Sequence, residues 1–146
     1  MENPSLTVLL AEDDPDDVFL MKRACQKTNL INGLQVVTDG RMAIDYLAGA
    51  GKFADRTRYP RPGVAFLDLK LPYKPGFEVM KWMRTRPELE SVVVVILSSS
   101  SEERDRDTAY RLGARMFLVK PPTPAMLLGV IKELKHSWAG SASPQG

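Results

Sequence analysis

Five short apolar-rich runs punctuate the chain at Leu6–Ala11, Leu34–Val37, Val64–Leu67, Val92–Leu97 and Met116–Val119. The fourth, Val-Val-Val-Val-Ile-Leu, is the most constraining. Its β-branched side chains lose χ1 freedom in a helix and fit a pleated sheet, so it reads as a strand. Between the runs lie stretches whose apolar residues recur at helical spacing. Val18, Met21 and Cys25 mark the first, to about Thr28, and Met42, Ala43, Tyr46 and Leu47 the second, to about Ala48. Phe77, Met80 and Met83 mark the third, which must stop before Pro87. Leu127, Val130, Ile131, Leu134 and Trp138 mark the last. The fourth helix, about Glu102 to Leu112, is heavily charged and has only Ala109, Tyr110 and Leu112 as apolar anchors, so weak packing is expected. Strands apolar throughout that alternate with one-sided helices imply an α/β fold, a parallel sheet covered on both faces.

Local signals place the boundaries. Asp14 is an N-cap with Pro15 at the first helical position, and Asp16 and Asp17 complement the helix dipole. Asn32-Gly33 reads as a turn, Asp39-Gly40 opens the second helix, and Thr123-Pro124 opens the last. Ser100 and Glu103 have capping-box spacing. From Gly49 to Gly63 the composition turns to Gly, Pro, Lys and Arg, and a solvated, charged connection is expected there.

The 146 residues suffice for one core. Twenty basic against eighteen acidic residues leave a net charge of +2 without a dense Lys/Arg block, so no nucleic-acid surface is indicated. There is no apolar run of about 18 residues and no charged-then-apolar leader, which argues against a membrane partner. The single cysteine, Cys25, cannot form an internal disulfide and reads as a small core residue. A cytoplasmic protein is expected. His136, near the end of the last helix among polar neighbours, reads as a solvated surface residue. No internal repeat is present.

Chemistry enters at the strand ends. The first run ends on Glu12-Asp13, the third on Asp68, the fourth on Ser98 and the fifth on Lys120. In a parallel sheet all four ends open on one edge, where ligands bind in such folds. Asp68 alone could equally be a turn former. Three carboxylates brought together repel by about 4 kcal/mol per pair at 4 Å and an effective dielectric near 20. Their pKa values must rise or a cation must join them, and an all-oxygen cluster suits Mg²⁺. A lysine and a hydroxyl opposite are usual partners of phosphoryl oxygens. The set describes phosphoryl transfer onto a carboxylate.

These residues resemble the response-regulator receiver domain of bacterial two-component signalling. The likeness rests on Leu-Leu-Ala-Glu12-Asp13-Asp, Phe-Leu-Asp68-Leu-Lys-Leu-Pro72, Gly76, Val-Ile-Leu-Ser98-Ser99 and Gly-Ala-Arg-Met-Phe117-Leu-Val-Lys120-Pro121, in order across about residues 6 to 138. The resemblance implies a flavodoxin-like doubly wound sheet of five parallel strands in order 2-1-3-4-5, flanked by five helices. It implies a domain over 1–138 and a flexible tail over 139–146. It makes Asp68 the phosphoacceptor for a sensor histidine kinase, with Mg²⁺ held by Glu12, Asp13, Asp68 and the backbone carbonyl of Lys70. Ser98 and Phe117 become the switch residues and Lys120 the phosphate-sensing lysine. Such a chain is not an enzyme beyond its own phosphorylation and dephosphorylation.

Glu12 stands where the family more often has Asp, and Ser98 where Thr is frequent. Lys70 and Ser100 fall where the family tunes dephosphorylation. With nothing after the fifth helix, output is expected through contact with a downstream protein or phosphotransfer partner. The Gly49–Gly63 insertion and Pro15-Asp16-Asp17 are similar to receivers paired with phytochrome-type kinases. Many of these dimerise, here expected through the last two helices and strand five. The alternatives are a phosphorylation-independent binding module built on the same fold and an unrelated doubly wound enzyme. The absence of a G-x-G-x-x-G and of a P-loop argues against the second.

Overall fold

The apolar runs pair edge to edge as β1 (Thr7–Ala11), β2 (Gly33–Val37), β3 (Val64–Asp68), β4 (Val93–Ser98) and β5 (Met116–Val119). They form one parallel sheet in the order β2-β1-β3-β4-β5, as expected. The computed structural model describes residues 7–28 and 33–141, with side chains at 7–27 and 33–133. Leu6, Asn32 and the side chains of Leu134, His136 and Trp138 lie outside the described residues. The helices are α1 (Pro15–Thr28), α2 (Gly40–Ala48), α3 (Gly76–Met83), α4 (Glu103–Arg111) and α5 (Pro124–Ser141). Helix α5 thus runs past residue 139, where a tail was expected to begin, and 142–146 are outside the described residues.

Strand periodicity divides the core in two. Leu9, Ala11, Ala65, Leu67, Val94 and Ile96 face α2, α3 and α4. Val8, Leu10, Val64, Phe66, Val95 and Leu97 face α1 and α5, meeting Met21, Leu127 and Ile131. Cys25 is buried in this second half, as expected, and burial pushes its thiol up to about 11. All five residues of β3 are buried, which fixes the central position of the strand that ends on Asp68.

Three caps match the sequence reading. The Oδ1 of Asp14 accepts the N–H of Asp16 at 2.9 Å, that of Asp39 accepts from Met42 at 2.7 Å, and Thr123 Oγ1 accepts from Met126 at 3.1 Å. The expected Ser100–Glu103 box does not form. Ser100 Oγ instead accepts the N–H of Glu102 at 3.1 Å, and α4 begins without a side-chain cap. The hydroxyl is spent on the turn that precedes the helix. Weak packing of α4 is observed, but with fewer anchors than expected. Ala109 is its one buried residue and Tyr110 is 45% exposed.

The Gly49–Gly63 connection overturns its expected character. Phe53 is buried, and its ring centroid lies 5.0 Å from Tyr46 and 5.1 Å from Tyr59. The Tyr46 hydroxyl donates to Pro60 O at 2.9 Å. Arg56 donates to Tyr59 O at 3.0 Å and to Leu47 O at 2.9 Å, satisfying a carbonyl in the last turn of α2 that the helix itself leaves open. Two aromatic rings and one inward arginine convert a loop of charged composition into a packed unit, while Lys52, Arg58 and Arg61 remain at the surface. Phe53→Ala should therefore cost about 3 kcal/mol of unfolding free energy in urea titrations, as for a buried core aromatic. Lys52→Ala should stay within about 0.5 kcal/mol of wild type. Equal small effects would show that the loop is solvated after all.

Candidate functional site at the carboxyl edge of the sheet

Four of the five strands deliver polar groups to the edge, β2 being the exception. Glu12 prolongs the β1–β2 ladder by donating its N–H to Val37 O at 2.9 Å, and it is 1% exposed. Asp68 closes β3 and is 5% exposed. Its Oδ1 accepts the N–H of Lys70 at 3.0 Å and its Oδ2 accepts from Lys120 Nζ at 2.7 Å. Ser98 closes β4 and is 2% exposed. Lys120 follows β5, anchored by its N–H on Ser98 O at 2.8 Å and joined to Pro121 by a cis peptide.

The chain beyond Asp68 must leave the sheet at once, and glycine permits it. A Cβ at Gly76 would lie 2.6 Å from Asp68 O, and one at Gly40 would collide with the backbone carbonyl of Lys74. The loop between β3 and α3 is thereby pressed against α2, with Gly40 N–H on Pro72 O at 3.0 Å. Tyr73 at its tip adopts a left-handed backbone, φ 67°, and the Arg41 guanidinium lies over its ring at 5.0 Å.

Lys120 Nζ is the centre of the charge cluster. Besides Asp68 it lies 2.9 Å from Glu12 Oε1 and 2.9 Å from Asp17 Oδ2. Asp17 was assigned only to the helix dipole in the sequence. Its position one helical turn after Asp13, at the start of the helix that leaves the acidic strand end, is the signal that could have placed it at this edge. Burial, then the hydrogen bond with Asp68, push Glu12 up to about 7. Asp68 feels the same burial, but its bonds with Lys120, Glu12 and the Lys70 N–H outweigh it and hold the carboxyl below its usual value. For Lys120 burial acts downwards and the three carboxylates more than reverse it, so the ammonium is retained.

Three of the four expected metal ligands, the carboxylates, come together. Glu12, Asp13 and Asp68 each offer a carboxylate oxygen, and these lie within 4.8 Å of one another. Asp13 is exposed, which leaves the cluster open on one side. Glu12 Oε1 is buried without a hydrogen bond, because its contact with Lys120 has the distance but not the angle. An all-oxygen set with an unsatisfied buried oxygen fits a hard divalent cation.

Ser98 and Phe117 are both buried. Ser98 Oγ accepts the N–H of Ser100 at 2.9 Å. Phe117 is 4% exposed, and the Arg106 guanidinium of α4 lies over its ring at 5.2 Å, a contact the sequence did not reveal.

A doubly wound sheet whose carboxyl edge gathers an acid cluster, a hydroxyl and a lysine defines a phosphoryl-accepting signalling domain. The family model for the response regulator receiver domain matches residues 8–132, and the chain belongs to that family. Among curated relatives, response regulator Rcp1 of Synechocystis sp. is 29% identical over 136 residues, 93% of this chain and 90% of Rcp1. A solved Mn²⁺-bound form of Rcp1 superimposes with a TM-score of 0.71 at 31% identity, covering 92% of this chain and 94% of that one. The bacteriophytochrome response regulator RtBRR reaches a TM-score of 0.79 at 39% identity over 90% of this chain and 78% of its own. The phosphorylated cyanobacterial phytochrome response regulator RcpA reaches 0.76 at 29% identity over 96% and 98%. Among the described residues no helix is long and apolar enough to cross a membrane.

The Glu12 shift has a measurable consequence. Below pH 7 Glu12 holds a proton that a divalent cation must displace, and above it does not. Apparent affinity for a divalent cation should fall by up to about tenfold per pH unit below that point and level off above it. Calorimetry in buffers of different ionisation heat should register release of close to one proton at the acid end. An affinity flat from about pH 5.5 to 8 would contradict the assignment.

Proposed function

We propose that Asp68 accepts a phosphoryl group from a sensor histidine kinase and that Glu12, Asp13, Asp68 and the carbonyl of Lys70 hold Mg²⁺ for the transfer. The observation that carries this reading is the fixed orientation of Asp68. One oxygen is held by the Lys70 N–H and the other by the Lys120 ammonium, beside an acid cluster open to solvent. During transfer an Asp68 oxygen forms a bond to phosphorus as the phosphorus–nitrogen bond of the donor breaks, and the electron pair leaves with the donor imidazole. Lys120, already charged and in contact, neutralises the arriving oxygens. Bound Mg²⁺ would supply further neutralisation of phosphoryl charge.

Phosphorylation then offers Ser98 an acceptor. Its oxygen already accepts the Ser100 N–H, and its O–H would donate to a phosphoryl oxygen, drawing the loop after β4 inward and displacing Arg106 and Phe117. Helix α4, anchored by Ala109 alone, is the element with least packing to lose. We assign contact with a downstream protein or a second copy of the chain to the face of α4, β5 and α5, where Tyr110 is exposed. A cytoplasmic location follows from the kinase partner.

With Mg²⁺ and acetyl phosphate, intact mass should show one added phosphoryl group in the wild type and none in Asp68→Asn. Sedimentation of the phosphorylated sample should report any phosphorylation-driven dimer. Gain persisting in Asp68→Asn would sink the acceptor assignment. No gain from acetyl phosphate or from a kinase would favour the phosphorylation-independent binding module.

The kinase contact has its own support. Phe19 and Leu20 on α1 are 57% and 40% exposed. Leu20, the neighbour of Phe19 in α1, lines a cleft of about 220 Å³ together with Arg23, Ala24, Lys27 and residues 121–124, which follow Lys120 in the chain. Exposed apolar groups beside the site fit a docking surface for the donor. Phe19→Ala should slow transfer from a phosphorylated phytochrome-type kinase by roughly tenfold while leaving acetyl phosphate labelling unchanged. Equal slowing with both donors would place the defect in folding or chemistry instead.

A further inference from the structure

We propose that Asp17 is a positioning residue that holds the Lys120 ammonium at the phosphoryl site, and that it is separate from the metal ligands. The inference rests on the acceptor assignment of Asp68. Lys120 Nζ makes hydrogen bonds to two side chains from different elements, Asp68 Oδ2 at the end of β3 and Asp17 Oδ2 in the first turn of α1. Its third contact, Glu12 Oε1 at 2.9 Å, lacks hydrogen-bond geometry. Asp17 is absent from the set of acids that can share a cation, which consists of Glu12, Asp13 and Asp68.

The two partners differ in what phosphorylation does to them. When an Asp68 oxygen becomes bonded to phosphorus, the carboxylate that held Lys120 becomes an acyl phosphate and its charge moves outwards onto the phosphoryl oxygens. Asp17 is not altered. A lysine side chain has four carbon–carbon torsions whose freedom is lost when it is fixed, so an ammonium released by its main partner would otherwise sample many positions. Asp17 keeps one donor engaged while the other turns from Asp68 to the phosphoryl group.

Its own placement is secure. Asp14 caps α1 and Pro15 fixes the first helical residue, so Asp17 projects from a rigid turn and its side chain is 23% exposed. Of the three aspartates at the start of α1, Asp17 is the one in contact with Lys120, while Asp16 is exposed and Asp14 Oδ1 is used in the cap.

The test compares Asp17→Ala with Asp17→Asn in the full chain. Asn retains an acceptor oxygen at the same reach but not the charge, whereas Ala removes both. Phosphorylation by saturating acetyl phosphate with Mg²⁺ should be roughly tenfold slower in Asp17→Ala, the order of cost for a misplaced reacting group, and largely restored in Asp17→Asn. Mg²⁺ affinity by calorimetry should stay within about twofold of wild type in both. Independently of phosphorylation, ¹⁵N–¹H spectra should show a slowly exchanging Lys120 ammonium in the wild type, identified by its loss in Lys120→Arg, that disappears in Asp17→Ala. Wild-type rates in Asp17→Ala, or a matching collapse of Mg²⁺ affinity, would overturn the positioning role. A wild-type chain that retains the protected ammonium signal yet takes no phosphoryl group from any donor would remove the acceptor assignment while leaving the contact itself intact.

Discussion

The ion pair between Asp68 and Lys120 ties together groups that the sheet alone would leave apart. β4 lies between β3 and β5, so the 2.7 Å contact spans an intervening strand whose own end carries Ser98. Neither partner is tolerable alone. A buried ammonium with no acid and a buried carboxylate cluster with no cation would each incur several kcal/mol of desolvation cost. The pair therefore stabilises the edge only as a unit, and any group that takes an Asp68 oxygen must offer Lys120 something in return. Phosphoryl oxygens would do so, and under the proposed acceptor role of Asp68 the contact that settles the resting site would also favour the modified one.

Much of this was legible in the residues because the signals were local and redundant. Five apolar runs with helical stretches between them fix the sheet, and three helix starts announced themselves through Asp14, Asp39 and Thr123. Glu12, Asp13, Asp68, Ser98 and Lys120 could be grouped because strand ends of a parallel sheet share an edge. What escaped was decided by distance in space. The charged composition of 49–63 concealed Phe53, Tyr59 and Arg56, whose burial depends on Tyr46 and Leu47 in the preceding helix. Asp17 looked fully explained by the helix dipole, and only the position of Lys120, 103 residues away, reveals its second partner. Ser100 had the right spacing for a box but a closer donor to satisfy.

Helices α2 and α4 are held in different ways. Helix α2 is capped at both ends, by Asp39 and by the left-handed Gly49, and buries Ala43, Tyr46 and Leu47. Helix α4 has no side-chain cap and one buried residue, and its contact with β5 runs through Arg106 on Phe117. Arg84 of the residue following α3 adds one tie at its far end, donating to Arg111 O at 3.0 Å. A helix held by one small buried side chain, a cation over a ring and a single arginine bond has little packing to lose when it shifts.

The packed 49–63 segment has a bearing on this asymmetry. It closes on Gly63, whose N–H donates to Thr7 O and whose carbonyl accepts from Val93, each at 3.0 Å. Through those bonds and the Tyr46–Phe53–Tyr59 triangle, α2 is clamped to the beginnings of three central strands. One edge of the sheet is thus a stator, and under the proposed phosphorylation of Asp68 the opposite edge, with α4 and β5, would be the rotor on which a push can do mechanical work.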